Sequence, residues 1–210
     1  MEYQAIILAA GNSTRSGLFY NKVLYKINQT PIIYLSTKNF INDLMCKKII
    51  IVCKEKDLKE LQIIFKDVDK IQYVFGGETR QESVANALKC VDSEYVLIHD
   101  GARPYFTPIL LNRLLIKLKE CNAVIPVWSL TDTIKVVKDG VVVRTLKRDE
   151  LKQVQTPQAF KTSVIKSVHE LAKKTNYTDD SAMVEELSNE KVYIIDGEYP
   201  NIKFTFKEDF

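Results

Sequence analysis

Ala9-Ala10-Gly11 close a short apolar run, and Arg15 and Lys22 follow in the loop beyond it. Small side chains at such a turn let backbone N–H groups approach a ligand closely. Arg offers a planar fork to phosphate oxygens and Lys a compact point charge. The chemistry this favours is the holding of a polyphosphate. The alternative is a strand, a turn and two surface cations. Two familiar phosphate loops are excluded. Lys22 lies eleven residues beyond Gly11 and is preceded by Asn21 rather than Gly, so this is not G-x-x-x-x-G-K-[ST]. Ser13 stands where the second glycine of G-x-G-x-x-G would be.

Five further constellations could carry chemistry. His99-Asp100-Gly101-Ala102-Arg103-Pro104 follows an apolar run, at the edge where open α/β sheets bind ligands. Asp100 could meet a cation there, since magnesium takes one or two carboxylates plus substrate phosphates. Arg103 could face phosphate, or simply pair with an Asp100 that caps the turn. His99 reads as structural. Gly76-Gly77 precede Thr79-x-x-Glu82, and Ser83 could present its hydroxyl to a base or a phosphate. Arg148 and Gln155-Thr156-Pro157-Gln158 could line a phosphorylated substrate, or be a loop entering a helix. Lys203 in Asn201-Ile202-Lys203 could aim inward at an anion or face water. Tyr177-Thr178-Asp179-Asp180-Ser181 reads first as a helix cap and second as a carboxylate pair for metal or hydroxyl groups.

The elements that must position these residues alternate. Strands are expected over 5–8, 48–52, 71–75, 95–98 and 123–127, as short, nearly continuous apolar runs of the kind buried on both faces. Helices are expected over 31–41 (Thr30 as N-cap, Pro31 at N1), 57–65, 79–90, 107–120, 162–174 and 179–187. Thr79 and Glu82 form a capping-box pattern, and Thr107-Pro108 opens the next helix. This order predicts an α/β fold with a mostly parallel sheet covered on both faces. Residues 131–137 and 141–146 alternate around Asp139-Gly140, a hairpin signal. Its exposed face would meet a second subunit or lie at an edge of the monomer. Short strands over 192–195 and 202–206 complete the pattern.

Composition sets outer bounds. The 210 residues suit a single domain spanning 1–210, and 46% hydrophobic with 27% charged residues is ordinary for a globular chain. A net charge of +3 spread over 30 basic and 27 acidic residues argues against nucleic acid as a partner. No apolar run approaches the length of a membrane span, so no membrane partner is expected. Cys46, Cys53, Cys90 and Cys121 form no C-x-x-C pair and have no His at zinc spacing. They read as reduced thiols of a cytoplasmic protein.

Seven segments, in order, resemble the polyol-phosphate cytidylyltransferases. They are Leu8-Ala9-Ala10-Gly11 with Arg15 and Lys22, and Gly76-Gly77 with Arg80 and Ser83. Next come His99-Asp100-Gly101-Ala102-Arg103-Pro104, Asp132-Thr133-Ile134-Lys135, Gln155-Thr156-Pro157-Gln158, Thr178-Asp179-Asp180 and Asn201-Ile202-Lys203. The resemblance implies a Rossmann-like nucleotidyltransferase sheet with an inserted β-arm, about 131–147, that embraces a second subunit in a homodimer. It implies transfer of CMP from CTP to a polyol phosphate. The acceptor 2-C-methyl-D-erythritol 4-phosphate of the non-mevalonate isoprenoid pathway matches best, with ribitol 5-phosphate as the alternative. A non-catalytic nucleotide-binding relative of the same fold is the rival from another class.

By the same resemblance, Arg15 and Lys22 would hold the CTP phosphates and act catalytically, and Ala9, Ala10, Gly11, Gly77 and Ser83 would seat the cytidine. Asp100 would help hold Mg2+. Arg103, Thr156 and Lys203 would face the polyol phosphate, while Thr133 and Arg148 would reach it from the partner's arm. The chain departs from the family at Asn21-Lys22-Val23, where Pro-Lys-Gln is usual, which suggests a looser loop before Lys22. Gly101 stands where Ala is usual, residues 16–20 carry three large apolar side chains, and the family continues past the position of Phe210 into a further helix.

Overall fold

The computed structural model describes residues 1–13, 16–174 and 176–210. Strand β1 (Tyr3–Leu8) opens the chain, and a small ladder of β2 (Lys26–Ile27) with β3 (Thr30–Pro31) leads into α1 (Ile32–Asn42). Then follow β4 (Cys46–Cys53), α2 (Leu58–Ile64), β5 (Ile71–Phe75), α3 (Arg80–Leu88), β6 (Tyr95–Asp100), α4 (Pro108–Lys117) and β7 (Ala123–Ser129). A hairpin of β8 (Lys135–Lys138) and β9 (Val141–Thr145) comes next, then β10 (Lys152–Val154), β11 (Gln158–Lys161), α5 (Thr162–Leu171), α6 (Asp180–Leu187) and β12 (Tyr193–Asp196).

Eight strands form the main sheet. The spatial path β7-β11-β6-β1-β4-β5 carries β10 beside β7, with β12 also paired to β7. Pairings β1–β4, β1–β6, β4–β5 and β7–β12 are parallel, while β10 and β11 run antiparallel to their neighbours. The expected mostly parallel α/β sheet is thus the observed one. Its strands read as unbroken apolar runs because both faces are covered. On β1, Ala5 and Ile7 face a core with Phe40 of α1, Leu61 of α2 and Leu114 of α4. Ile6 faces the opposite core with Val84 of α3, Ile165 of α5 and Val184 of α6.

Caps explain several boundaries. Thr79 accepts from the Glu82 N–H while Glu82 reaches back to the cap, the expected capping box. Thr107 caps α4 ahead of Pro108, and Asp179 caps α6 by accepting from the Ala182 N–H. Four expectations are corrected. Thr30 does not cap α1: it pairs with Ile27 in the β2–β3 ladder, and Pro31 occupies the cap position without a side-chain bond. Residue 57 is not helical but ends a 3-10 turn, Glu55–Asp57. The hairpin strands are shorter than expected, starting at Lys135 and ending at Thr145, with Asp139 (φ 50°) and Gly140 (φ 78°) supplying the turn. Residues 202–206 form no strand; the segment docks through the Phe204 N–H on the Ala102 carbonyl.

Gly101 has a packing reason. Its N–H donates to the Leu8 carbonyl at 2.9 Å and its carbonyl accepts from Ser36 Oγ at 2.8 Å. A Cβ there would lie 2.8 Å from both the Leu8 carbonyl oxygen and Ile33 Cδ1. Because the first obstacle is backbone, β1 and β6 would have to move apart. Gly101→Ala is expected to cost about 1–3 kcal/mol in urea unfolding, the range for overpacking; a variant as stable as the native chain would contradict this register.

Candidate active site at the strand ends

Strands β1 and β6 are neighbours, yet the chain leaves them in opposite directions across the sheet, β1 toward β4 and β6 toward β7. A crevice forms outside the carboxyl ends of such a pair. Leu8 and Asp100 are register partners at those ends. A cleft of about 350 Å³ opens there. Ala10, Gly11 and Ser13 border it after β1, Gly77 and Ser83 at the start of α3, and Lys22, Asp100 and Lys203 complete it. Sequence segments spread from residue 10 to residue 203 therefore meet in one cavity.

The wall at residues 77–83 is tied by hydrogen bonds. Gly77 N–H donates to Ser83 Oγ at 3.1 Å, and Glu78 N–H to Glu82 Oε2 at 2.8 Å. Ser83 is buried at the first turn of α3, whose N-terminus faces the same region. Ala9 is buried with its N–H on the Val52 carbonyl. It packs beneath the cleft, while Ala10 and Gly11 border it. Arg15 lies outside the described residues.

Asp100 is the electrostatic centre. Lys203 Nζ lies 2.8 Å from Oδ2, Arg80 Nε 3.7 Å from Oδ1, and Arg103 Nε 3.8 Å from Oδ2. Burial alone would push this carboxyl up. Lys203, then Arg80 and Arg103, overcome that and hold it well below the ordinary carboxylate range. Lys203 thus aims inward, from an irregular segment and not from a strand. Arg103 also donates to the carbonyls of Asn201 and Val154. Arg80, to which sequence reading gives no role, donates to Asp180 Oδ2 at 2.7 Å while facing Asp100. The Thr178-Asp179-Asp180 segment is therefore both a cap, through Asp179, and an anchor for Arg80, through Asp180. Nothing local in the sequence could find this pairing, since the partners are 100 residues apart.

Thr156 fixes the floor. Its hydroxyl accepts from the Asp100 N–H at 3.0 Å and meets His99 Nδ1 at 2.9 Å. His99 Nε2 lies 3.0 Å from the Arg103 carbonyl, which can only accept. Nε2 therefore carries the proton, and Nδ1 accepts from the Thr156 hydroxyl. Burial pushes the His99 imidazole down to about 3, which makes it a neutral structural group as expected. The peptide bond Thr156-Pro157 is cis.

Thr133 and Arg148 are not brought to the cleft of their own chain. They border a separate hollow on the arm with Thr145 and Lys147, and Arg148 donates to the Thr131 carbonyl at 3.0 Å. The loop before Lys22 is not loose either: Asn21 is buried and bonded to Ala9 and Asp57. Among the described residues no cluster of three or more His, Cys, Asp or Glu could cage a metal. One ionised carboxylate beside a polyanion site does fit magnesium held mainly by phosphates. Lys203 sits on Oδ2, whereas the cation nearest Oδ1, Arg80, is 3.7 Å away.

A model of the 2-C-methyl-D-erythritol 4-phosphate cytidylyltransferase family matches residues 3–210. Proteins of that name from Bacillus mycoides and Bacillus pumilus are similar to this chain. The first is 40% identical over 213 residues, covering 99% of this chain and 94% of the relative. The second is 37% identical over 215 residues, covering 100% and 94%. The crystal structure of 4-diphosphocytidyl-2C-methyl-D-erythritol synthase from Anaerococcus prevotii superposes with a TM-score of 0.88 at 33% identity, over 99% of this chain and 94% of that one. The bifunctional IspDF of Campylobacter jejuni gives 0.85 at 31% identity, with all of this chain on 53% of that one.

The neutral His99 gives a signed pH dependence. The unfolded imidazole takes up its proton near pH 6.5, whereas the folded one resists until about 3. The stability this contributes is complete above about pH 6.5 and is lost as pH falls toward the folded value. Between pH 7.5 and pH 5 the native chain should lose roughly 2 kcal/mol on this account in urea unfolding, at about 1.4 kcal/mol per pH unit below 6.5. His99→Gln should flatten that part of the profile; an unchanged slope in the variant would refute the assignment.

Proposed function

The chain belongs to the 2-C-methyl-D-erythritol 4-phosphate cytidylyltransferase family, and we propose that the cleft at the ends of β1 and β6 is where it works. It transfers CMP from CTP to 2-C-methyl-D-erythritol 4-phosphate, releasing pyrophosphate, in isoprenoid synthesis. A phosphate oxygen of the polyol attacks the α-phosphorus; the new P–O bond forms as the bond to the pyrophosphate oxygen breaks. The nucleophile is already an anion, so no side chain need remove a proton. Catalysis is positioning plus charge stabilisation.

The observation that carries the site reading is the meeting of Lys22, Asp100 and Lys203 in one cleft with a glycine-walled pocket. Lys22 and Arg15 hold the CTP phosphates. Ala10, Gly11, Gly77 and Ser83 seat the cytidine, with Ala9 packed behind them. Lys203 faces the polyol phosphate. Arg103 and Thr156 would touch it only by releasing their present partners, so their first task is to hold Asp100 and the floor. Mg2+ would be held by Asp100 and the nucleotide phosphates, and when bound it supplies charge neutralisation of the triphosphate.

Thr133 and Arg148 serve the site of a second copy. Support comes from the arm itself. A two-stranded hairpin is marginal alone, and Val137, Val141, Val142 and Val143 are all exposed on it. A homodimer joined through this arm covers them. The cysteines support a reducing, cytoplasmic setting. Cys46 and Cys53 are buried, and burial raises their thiols to about 12 and about 11.

The direct test is pyrophosphate release from CTP and Mg2+, with 2-C-methyl-D-erythritol 4-phosphate and D-ribitol 5-phosphate as parallel acceptors. Release with the first, and its loss by about 10²–10³-fold in a folded Lys22→Ala variant, is expected; near-native turnover in that variant would remove Lys22 from the site. A second expectation concerns the shared arm. Arg148→Ala should raise KM for the polyol phosphate, and mixing it with Lys22→Ala chains should regenerate one working site per dimer. Mixed samples no more active than their parents would mean that each chain is self-sufficient.

A further inference from the structure

One buried amide fastens the loop that carries Lys22. Asn21 is 4% exposed, and both of its side-chain atoms are in use. Nδ2 donates to the Ala9 carbonyl at 2.6 Å and to Asp57 Oδ2 at 2.8 Å. Oδ1 accepts, at longer range, from the Ser13 hydroxyl (3.5 Å) and from the Val23 N–H (3.4 Å). The same Ser13 hydroxyl accepts from the Lys22 N–H at 2.9 Å. The backbone on both sides of the Lys22 Cα is thereby held: its own N–H by Ser13, the next N–H by Asn21.

The two strong bonds lead to rigid points. Ala9 directly follows β1 and its N–H is on the Val52 carbonyl of β4. Asp57 is buried in the turn that follows β4. The loop is therefore tied to the ends of two central parallel strands. Ser13, Asn21, Lys22 and Val23 all border the cleft. Asn is the fitting residue type, because this position must donate twice and accept as well. A carboxylate could give neither hydrogen, and alanine would leave buried Asp57 and the Ala9 carbonyl without this donor.

We propose that Asn21 and Asp57 form a positioning pair for Lys22, a hydrogen-bonded clamp that fixes where its ammonium meets the nucleotide phosphates. The proposal rests on the assignment of the cleft to CTP. It replaces the expectation of a loosened loop: where the family pattern has a proline ring, this chain has a bonded amide. The backbone is compatible with either, since Asn21 has φ −65°.

The test is equilibrium CTP binding by calorimetry with Mg2+, together with steady-state constants, for the native chain, N21A, N21D, D57N, N21P and the double variant N21D/D57N. N21A should weaken CTP binding about 10-fold and N21D about 100-fold, as expected when a hydrogen bond to a charged group is lost or replaced by repulsion, and D57N, which keeps an acceptor oxygen but loses its charge, should weaken it less than N21A. KM for CTP should rise while KM for the polyol phosphate stays within about twofold, a split that general loosening of the fold would not produce. The double variant again sets an amide opposite a carboxylate, with donor and acceptor exchanged, and should recover about 10-fold over N21D. N21P fixes the same φ but donates nothing to Asp57 or the Ala9 carbonyl, so it should bind CTP no better than N21A, and native-like binding by N21P would overturn the clamp.

CTP binding by N21A equal to native would overturn the clamp, as would a double variant no better than N21D. Should N21D fail to fold, N21A, D57N and N21P decide the matter by the same measurement. A native chain that binds no CTP would overturn the cleft assignment and the clamp with it. Native binding with unaffected variants overturns the clamp alone.

Discussion

A charged carboxylate at the inner end of a central strand sets the terms for the rest of this molecule. Asp100 ends β6 in a nearly dry position, where an uncompensated charge would be strongly destabilising. Compensation comes from three parts of the chain: Arg103 on the adjoining loop, Arg80 at the start of α3, and Lys203 in the segment after β12. Thr156, between β10 and β11, satisfies the backbone at the same point. The sheet brings the strand ends to one side, and this carboxylate is what their outer connections meet there. The arrangement that stabilises Asp100 also gathers cations at the cleft proposed to take CTP and the polyol phosphate.

The two walls of the cleft are built on different physics. The wall at residues 76–83 is held by a helix cap and by backbone donors to Ser83 and Glu82. The opposite wall, residues 10–13 and 21–23, has no regular element beyond a 3-10 turn, Lys22–Leu24, and relies on side-chain bonds through Ser13 and Asn21. Neutral His99 belongs to neither wall. It is a spacer beneath the floor, packed against Phe40 and Phe106, that passes the orientation of Arg103 to Thr156.

Much of this was legible in the residues. Continuous apolar runs marked β1, β4 and β6, and Thr79-x-x-Glu82 and Thr107-Pro108 marked helix starts, because these signals are local. The placing of Ala10, Gly11, Asp100 and Lys203 on one cleft followed from the strand-end rule and the family pattern together. What could not be read has a common cause. Arg80 with Asp180, and Asn21 with Asp57, are tertiary pairings whose partners give no sign of one another in sequence. The 202–206 segment misled for the opposite reason: its alternation matches a strand, yet it joins no sheet and serves as a strap over Ala102. Thr30 likewise offered a fitting cap type but was drawn into the β2–β3 ladder.

The link between Arg80 and Asp180 bears on how the chain is made. Synthesis delivers residues in order, while a domain generally folds as a unit. When α3 leaves the ribosome, the acidic partner of its first residue has still to be translated, because 100 residues separate the two. While β1 through β6 are already made, α6 and the Lys203 strap are still to come. Before they are made, Asp100 already has Arg80 and Arg103 beside it, while Arg80 lacks Asp180. The last helix and the strap then act as a latch, closing the centre with one carboxylate for Arg80 and one ammonium for Asp100.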